Sequence, residues 1–227
     1  PDPFIRSALA TRFGLSMAID DTFPPSEVRG VTAGLVDLPD AVYGAIDFYA
    51  MVVHLKSFDA ADDHRRRQVT CDAIVNWMRD ARTPGCVDCP AGDWIDLPHG
   101  TPMLVFGDMN LGYGDHGDIA PYHPVKTLRD GDIYDNAIYG LDSPPDWDGT
   151  DTADAVPYDH NTGVTHTQPS TGARPTSRLD RFIYTDSAIH PANRFVLNTN
   201  AMTAPALAAA GLLAGDTVGA SDGASDH

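Results

Sequence analysis

The run MLVFGDMNLGYGDHGD, Met103 to Asp118, sends an apolar stretch straight into a glycine-rich loop that carries Asp108, Asn110, Asp115 and Asp118. Carboxylates and amides at that density suit a hard divalent cation. Two uses are open: a structural calcium ion, or a metal and a phosphate held during a reaction. Asp108-x-Asn110-x-Gly112 imitates the start of an EF-hand-type calcium loop, in which oxygen ligands fall on alternate residues. Such a loop needs glycine at its sixth position and a bidentate glutamate at its twelfth. Here those positions hold Tyr113 and Ile119, and a strand-like run, not a helix, leads in. These departures count against calcium and favour a reacting site, which needs partners from elsewhere in the chain.

The elements that would position such partners can be read from periodicity. Met103 to Phe106 reads as a short buried strand that delivers Asp108 at its carboxyl end. Arg29–Leu38 and Asp47–Ser57 are two β-rich runs separated by a Pro-Asp turn region. In the second run, alternation puts Phe48, Ala50, Val52, His54 and Lys56 on one face and Tyr49, Met51, Val53 and Leu55 on the other. Both faces are largely apolar, so burial on both sides is expected, with His54 at the strand's end. A helix follows, capped by Asp59 or Asp62, with Val69, Ala73, Ile74, Trp77, Met78 and Ala81 at helical spacing. Its Arg65, Arg66, Arg67 and Arg79 read as a solvated flank. Residues 112–174 are rich in Gly, Pro and Asp, too long for a structureless loop, and so predict an ordered excursion. Ser177–Ser187 is a further strand, with Arg178, Asp180, Phe182 and Tyr184 on one face. Strands and helices alternating with long loops indicate an α/β or α+β fold with a mixed sheet.

Composition limits the function. The 227 residues with 42% apolar content suit one compact domain, and the net charge of −17 opposes broad binding of nucleic acid through a basic face. A phosphodiester whose charge is neutralised locally remains compatible. The charge comes from 31 Asp and one Glu, Glu27, against 13 Arg and two Lys. That pattern fits a saline or extracellular setting and fits equally a compositional habit of the source genome. Three cysteines, Cys71, Cys86 and Cys89, are too few for a disulfide scaffold. Cys86-Val-Asp-Cys89 has zinc-like spacing but lacks an evident four-ligand set, which favours a loop disulfide or free thiols. No apolar run approaches the ~20 residues of a membrane span.

Four blocks in order, VVHLKS (Val52–Ser57), GDMN (Gly107–Asn110), SRLDRFIY (Ser177–Tyr184) and ASDH (Ala224–His227), resemble the endonuclease/exonuclease/phosphatase superfamily. That is the fold of DNase I, apurinic endonucleases and bacterial sphingomyelinases. The resemblance runs from Arg12-Phe13, similar to the family's "SRF" strand, to the last residue. It implies a four-layer α-β-β-α sandwich of two mixed sheets, and metal-dependent hydrolysis of a phosphoester, most simply a phosphodiester in a nucleic acid, phospholipid or small molecule. It further implies His227 as general base, Asp180 as its orienting carboxylate, and Asp108 and Asn110 positioning nucleophile and phosphate. His54 would contact a phosphoryl oxygen. Asp226, with Asp108, would stand at a Mg²⁺ ion or a similar Mn²⁺ or Ca²⁺ ion. The residue types fit these roles, because histidine transfers protons near neutral pH and a carboxylate on its second nitrogen fixes the tautomer.

Two departures modify the expectation. Family members carry an early Asn and a metal-binding Glu upstream of the "SRF" strand, and neither block is visible here. After SDH the family continues into a last strand. The expectation is therefore a single domain over residues 1–227 lacking its first strands and last strand, monomeric, without stable membrane insertion, and extracellular or periplasmic. The rival from a different class is an acidic, calcium-loaded extracellular module without catalysis.

Overall fold

The computed structural model describes residues 7–23, 29–86, 94–111, 119–165, 167 and 177–216. In chain order these form β1 (Gly14–Phe23), β2 (Val31–Asp37), α1 (Asp40–Tyr43), β3 (Phe48–His54), α2 (Ala61–Arg82), β4 (Met103–Asp108), α3 (Pro124–Asp130), α4 (Asn136–Tyr139), β5 (Ala153–Asp154), β6 (Asp180–Tyr184), a 3-10 turn (Thr199–Ala201) and α5 (Ala204–Ala210). The strands make one six-stranded sheet in the order β1-β2-β3-β4-β6-β5. Only β3 and β4 are parallel; the other pairs are antiparallel. A parallel pair needs a long crossover, and the 22-residue α2 supplies it. The fold is thus mixed α/β as expected, and among the described residues the strands belong to this single sheet, so the second sheet of a four-layer sandwich is not formed by them.

One face of the sheet packs on α2. Tyr49, Met51, Val53 and Leu55 alternate inward, joined by Val31 and Ala33 from β2 and Met103 and Val105 from β4. From the helix come Ile74, Trp77, Met78 and Ala81, at the spacing the sequence predicts. The expected burial of β3 on both sides holds on this face only. Opposite it, Ala50 is buried while Phe48, Val52 and His54 are half-buried.

Two expectations for α2 are corrected. Its first turn is closed by Asp63, whose carboxylate accepts from the Ala60 amide at 3.1 Å, not by Asp59 or Asp62. Arg65 and Arg66 do form a solvated flank, both paired to Asp62. Arg67 and Arg79 do not: Arg67 is 1% exposed, and the half-buried Arg79 donates to the carbonyls of Tyr139 and Leu141. Each helical residue turns the side chain by about 100°, so a run of three arginines cannot share one face.

The excursion between β4 and β6 is ordered in its described parts. Gln68 Nε2 donates to Asp72 Oδ1 and Thr127 Oγ1, both at 2.7 Å, and its Oε1 accepts from the His123 amide at 2.7 Å. Asp72 also accepts from the amides of Tyr134 and Asp135. Burial pushes the Asp72 carboxyl up, against these donors, which pull it down. A buried polar network of this kind fixes the excursion to α2 through directional bonds that apolar contact alone would not give.

Candidate active site

The β3-α2-β4 unit sets the site's position. Parallel strands point their carboxyl ends the same way, and β6, antiparallel to β4, starts at that same edge of the sheet. The register is His54 opposite Asp108 and Asp108 opposite Asp180. Strand side chains alternate between faces, so these three residues stand in a row on one face, at one level, across three neighbouring strands. It is the face away from α2. His54 Nε2 stands 3.3 Å from Asp108 Oδ2, with the His54 side chain 35% exposed and that of Asp108 15%. A carboxylate beside an imidazole nitrogen fixes the ring's orientation and tautomer.

Asn110 completes the cluster. Its backbone amide donates to Asp108 Oδ1 at 2.7 Å, and its Nδ2 donates to Asp108 Oδ2 at 2.8 Å and to the Leu55 carbonyl at 3.1 Å. Asn110 has φ +49, in the left-handed region that asparagine tolerates better than most residues. The Leu55 carbonyl also accepts from the buried Arg29 Nη1 at 2.8 Å, and the Leu55 amide donates to the Asp108 carbonyl at 2.8 Å. The turn after β4 and the exit from β3 are therefore tied together on both sides of the His54–Asp108 contact. The Met109 amide reaches the Leu179 carbonyl at 2.9 Å and fastens the same turn to the start of β6.

Glycine at position 107 is a steric requirement of this arrangement. Gly107 has φ +131, and a Cβ there would lie 2.1 Å from the Val53 carbonyl oxygen. Only glycine lets β4 approach β3 this closely one residue before Asp108.

Beyond His54 the chain is gripped from below. Arg67 Nη1 donates to the carbonyls of Lys56 at 2.5 Å and Phe58 at 2.8 Å, and Arg67 Nη2 is 2.6 Å from His64 Nδ1. Burial, then the Arg67 charge, hold the His64 imidazole below its ordinary range, as a nitrogen accepting from a guanidinium requires. Lys56 Nζ pairs with Asp63 Oδ1 at 3.1 Å. The sequence does not single out Arg29, Arg67 and Phe58, because their parts depend on contacts that no local pattern encodes.

Asp226 and His227 lie outside the described residues, as does Cys89. Cys86 is disulfide-bonded and Cys71 is a buried free thiol. Arg178 pairs with Asp154, donating to both its oxygens at 2.9 and 2.8 Å, and Arg181 Nη1 joins the same carboxylate at 2.8 Å. These arginines and Asp154 line a cavity of about 890 Å³ whose lining includes none of His54, Asp108, Asn110 and Asp180.

Among the described residues no group of three or more His, Cys, Asp or Glu is placed to hold a metal ion. Asp108 has the right donor chemistry, yet both its oxygens already face Asn110 or His54. The described donors alone do not fit a divalent ion.

No family model matches the chain, and no curated protein does. Solved structures do. A β-hairpin deletion mutant of beta toxin from Staphylococcus aureus is 12% identical with a TM-score of 0.41, over 73% of this chain and 47% of that one. Sphingomyelinase C from Streptomyces griseocarneus is 14% identical with a TM-score of 0.39, over 72% and 44%. The human Nocturnin catalytic domain with bound sulfate is 13% identical with a TM-score of 0.34, over 81% and 57%. This chain spans about half the length of the structures it resembles. Among the described residues no helix is long and apolar enough to cross a membrane.

Proposed function

We propose that this protein hydrolyses phosphodiesters with the help of a divalent ion, and that His54, Asp108, Asn110 and Asp180 belong to the site. The observation that carries the proposal is the row His54–Asp108–Asp180 on three neighbouring strands, with Asn110 locked onto Asp108. These are the residues that the sequence blocks single out, drawn from segments more than 50 positions apart and brought to one edge of the sheet.

Hydrolysis of a phosphodiester needs an activated water, compensation for charge on the phosphoryl oxygens, and in-line placement. Asp108 orients His54, and both face the edge where a phosphate can approach. Asn110, its amide held by Asp108 and Leu55, fixes the floor of the turn. His227 would take the proton from the attacking water, with Asp180 on its other nitrogen, as the family resemblance implies. The divalent ion would neutralise phosphoryl charge when bound. Its ligands must include groups beyond the described residues, Asp226 among those the resemblance implies, so no step is assigned to it.

An extracellular or periplasmic setting accords with the acidic surface and with the disulfide at Cys86, since such bonds persist in oxidising compartments. Calorimetry with Ca²⁺ and Mg²⁺, read against turnover of bis-p-nitrophenyl phosphate, tests the proposal against the calcium-module rival. Divalent binding accompanied by turnover is expected. Tight calcium binding with no turnover would return the loop to a structural role.

A further inference from the structure

The loop leaving His54 carries a feature that bond cleavage does not require. Phe58, four residues past His54, has φ +77, a left-handed conformation that bulky side chains avoid because Cβ crowds the backbone. Packing does not explain it, because Phe58 is 67% exposed. The restraint comes from below, where the buried Arg67 holds the carbonyls of Lys56 and Phe58 together. A buried guanidinium is a costly anchor, and here its hydrogen bonds hold an exposed loop in one shape. That shape places Lys56 Nζ 4.8 Å from the centroid of the Phe58 ring. The chain has only two lysines, and one of them is here.

Backbone strain maintained beside a site is a pointer to function. We propose that Phe58 is a stacking platform for the base of a short nucleoside phosphodiester. This rests on reading the His54–Asp108 row as a phosphodiesterase site. An exposed aromatic ring accepts any nucleobase through its π face. The substrate is short because the net charge of −17 repels a long polyanion, whereas two or three nucleotides bring few phosphates. A phosphocholine headgroup is the other chemistry an aromatic platform can take. Lys56 argues against it, since its ammonium, held by Asp63 Oδ1 at 3.1 Å, already occupies the cation's place at the ring.

The test is equilibrium binding of thymidylyl-thymidine to the full chain, by calorimetry in EDTA, for wild type, Phe58→Gly and Phe58→Tyr. Glycine accepts φ +77 without strain and removes the ring; tyrosine keeps the ring. Phe58→Gly should weaken binding about tenfold or more, Phe58→Tyr by no more than about twofold. The melting temperature of Phe58→Gly should be no lower than wild type. Equal affinity in wild type and Phe58→Gly, no binding to wild type, equal losses in both variants, or Phe58-dependent binding of phosphocholine in its place would each overturn the platform. Phe58-dependent dinucleotide binding without metal-dependent turnover would keep the platform and remove the hydrolase reading. Turnover with Phe58-independent binding would do the reverse.

Discussion

Asp108→Asn should lower kcat on a phosphodiester by on the order of 10²-fold or more, while the melting temperature stays within a few degrees of wild type. The carboxylate accepts from the Asn110 amide at one oxygen and faces Asn110 Nδ2 and His54 Nε2 at the other. Asparagine keeps one acceptor and turns the second position into a donor facing donors. His54 then loses the group that orients it, and negative charge disappears from the middle of the row. The apolar core on the opposite face of the sheet is not touched, so folding should change little. Steady-state kinetics with bis-p-nitrophenyl phosphate and a thermal melt give the two numbers. Wild-type turnover in this variant would remove Asp108 from the mechanism.

Gly107→Ala should be the more damaging substitution for the fold. Its Cβ would stand 2.1 Å from the Val53 carbonyl oxygen and 3.3 Å from the Val53 nitrogen, both backbone atoms of a core strand that cannot swing aside. The φ of +131 adds strain for any residue with a side chain. Relief requires β4 to part from β3 at the rung next to His54 and Asp108. A cost on the order of 3–5 kcal/mol follows, or a fall of roughly 10 °C or more in melting temperature. Activity should fall with it, because the parted rung carries the site. A stable, active Gly107→Ala protein would show that β4 does not need to approach β3 this closely.

The strands and helix that carry the site are legible in the sequence because their signals are local and periodic. Alternation along Asp47–Ser57 predicts β3, the spacing of Ile74, Trp77, Met78 and Ala81 predicts α2, and the apolar run before Gly107 predicts β4. The strand Gly14–Phe23 is not legible from its own residues, which include Asp20 and Asp21 and do not alternate cleanly; only the family resemblance at Arg12-Phe13, just before it, points there. Arg67 misleads because a linear run of arginines looks like one exposed patch, although the helix turns the third inward. His54, Asp108, Asn110 and Asp180 can be named from their blocks. What the sequence does not supply is the register that sets three of them side by side, a property of strand pairing across more than 100 residues. The φ of Phe58 is equally hidden, since it depends on an arginine nine residues away.

The central claim is that this edge of the sheet hydrolyses phosphodiesters with a divalent ion. The most direct measurement is the initial rate of bis-p-nitrophenyl phosphate hydrolysis by the protein, stripped with EDTA and then resupplied with Mg²⁺ or Mn²⁺. The account predicts loss of activity on stripping and recovery with either ion, with zinc-selective chelation having no effect. Activity that survives EDTA, or no hydrolysis at any concentration of added Mg²⁺ or Mn²⁺, would contradict it.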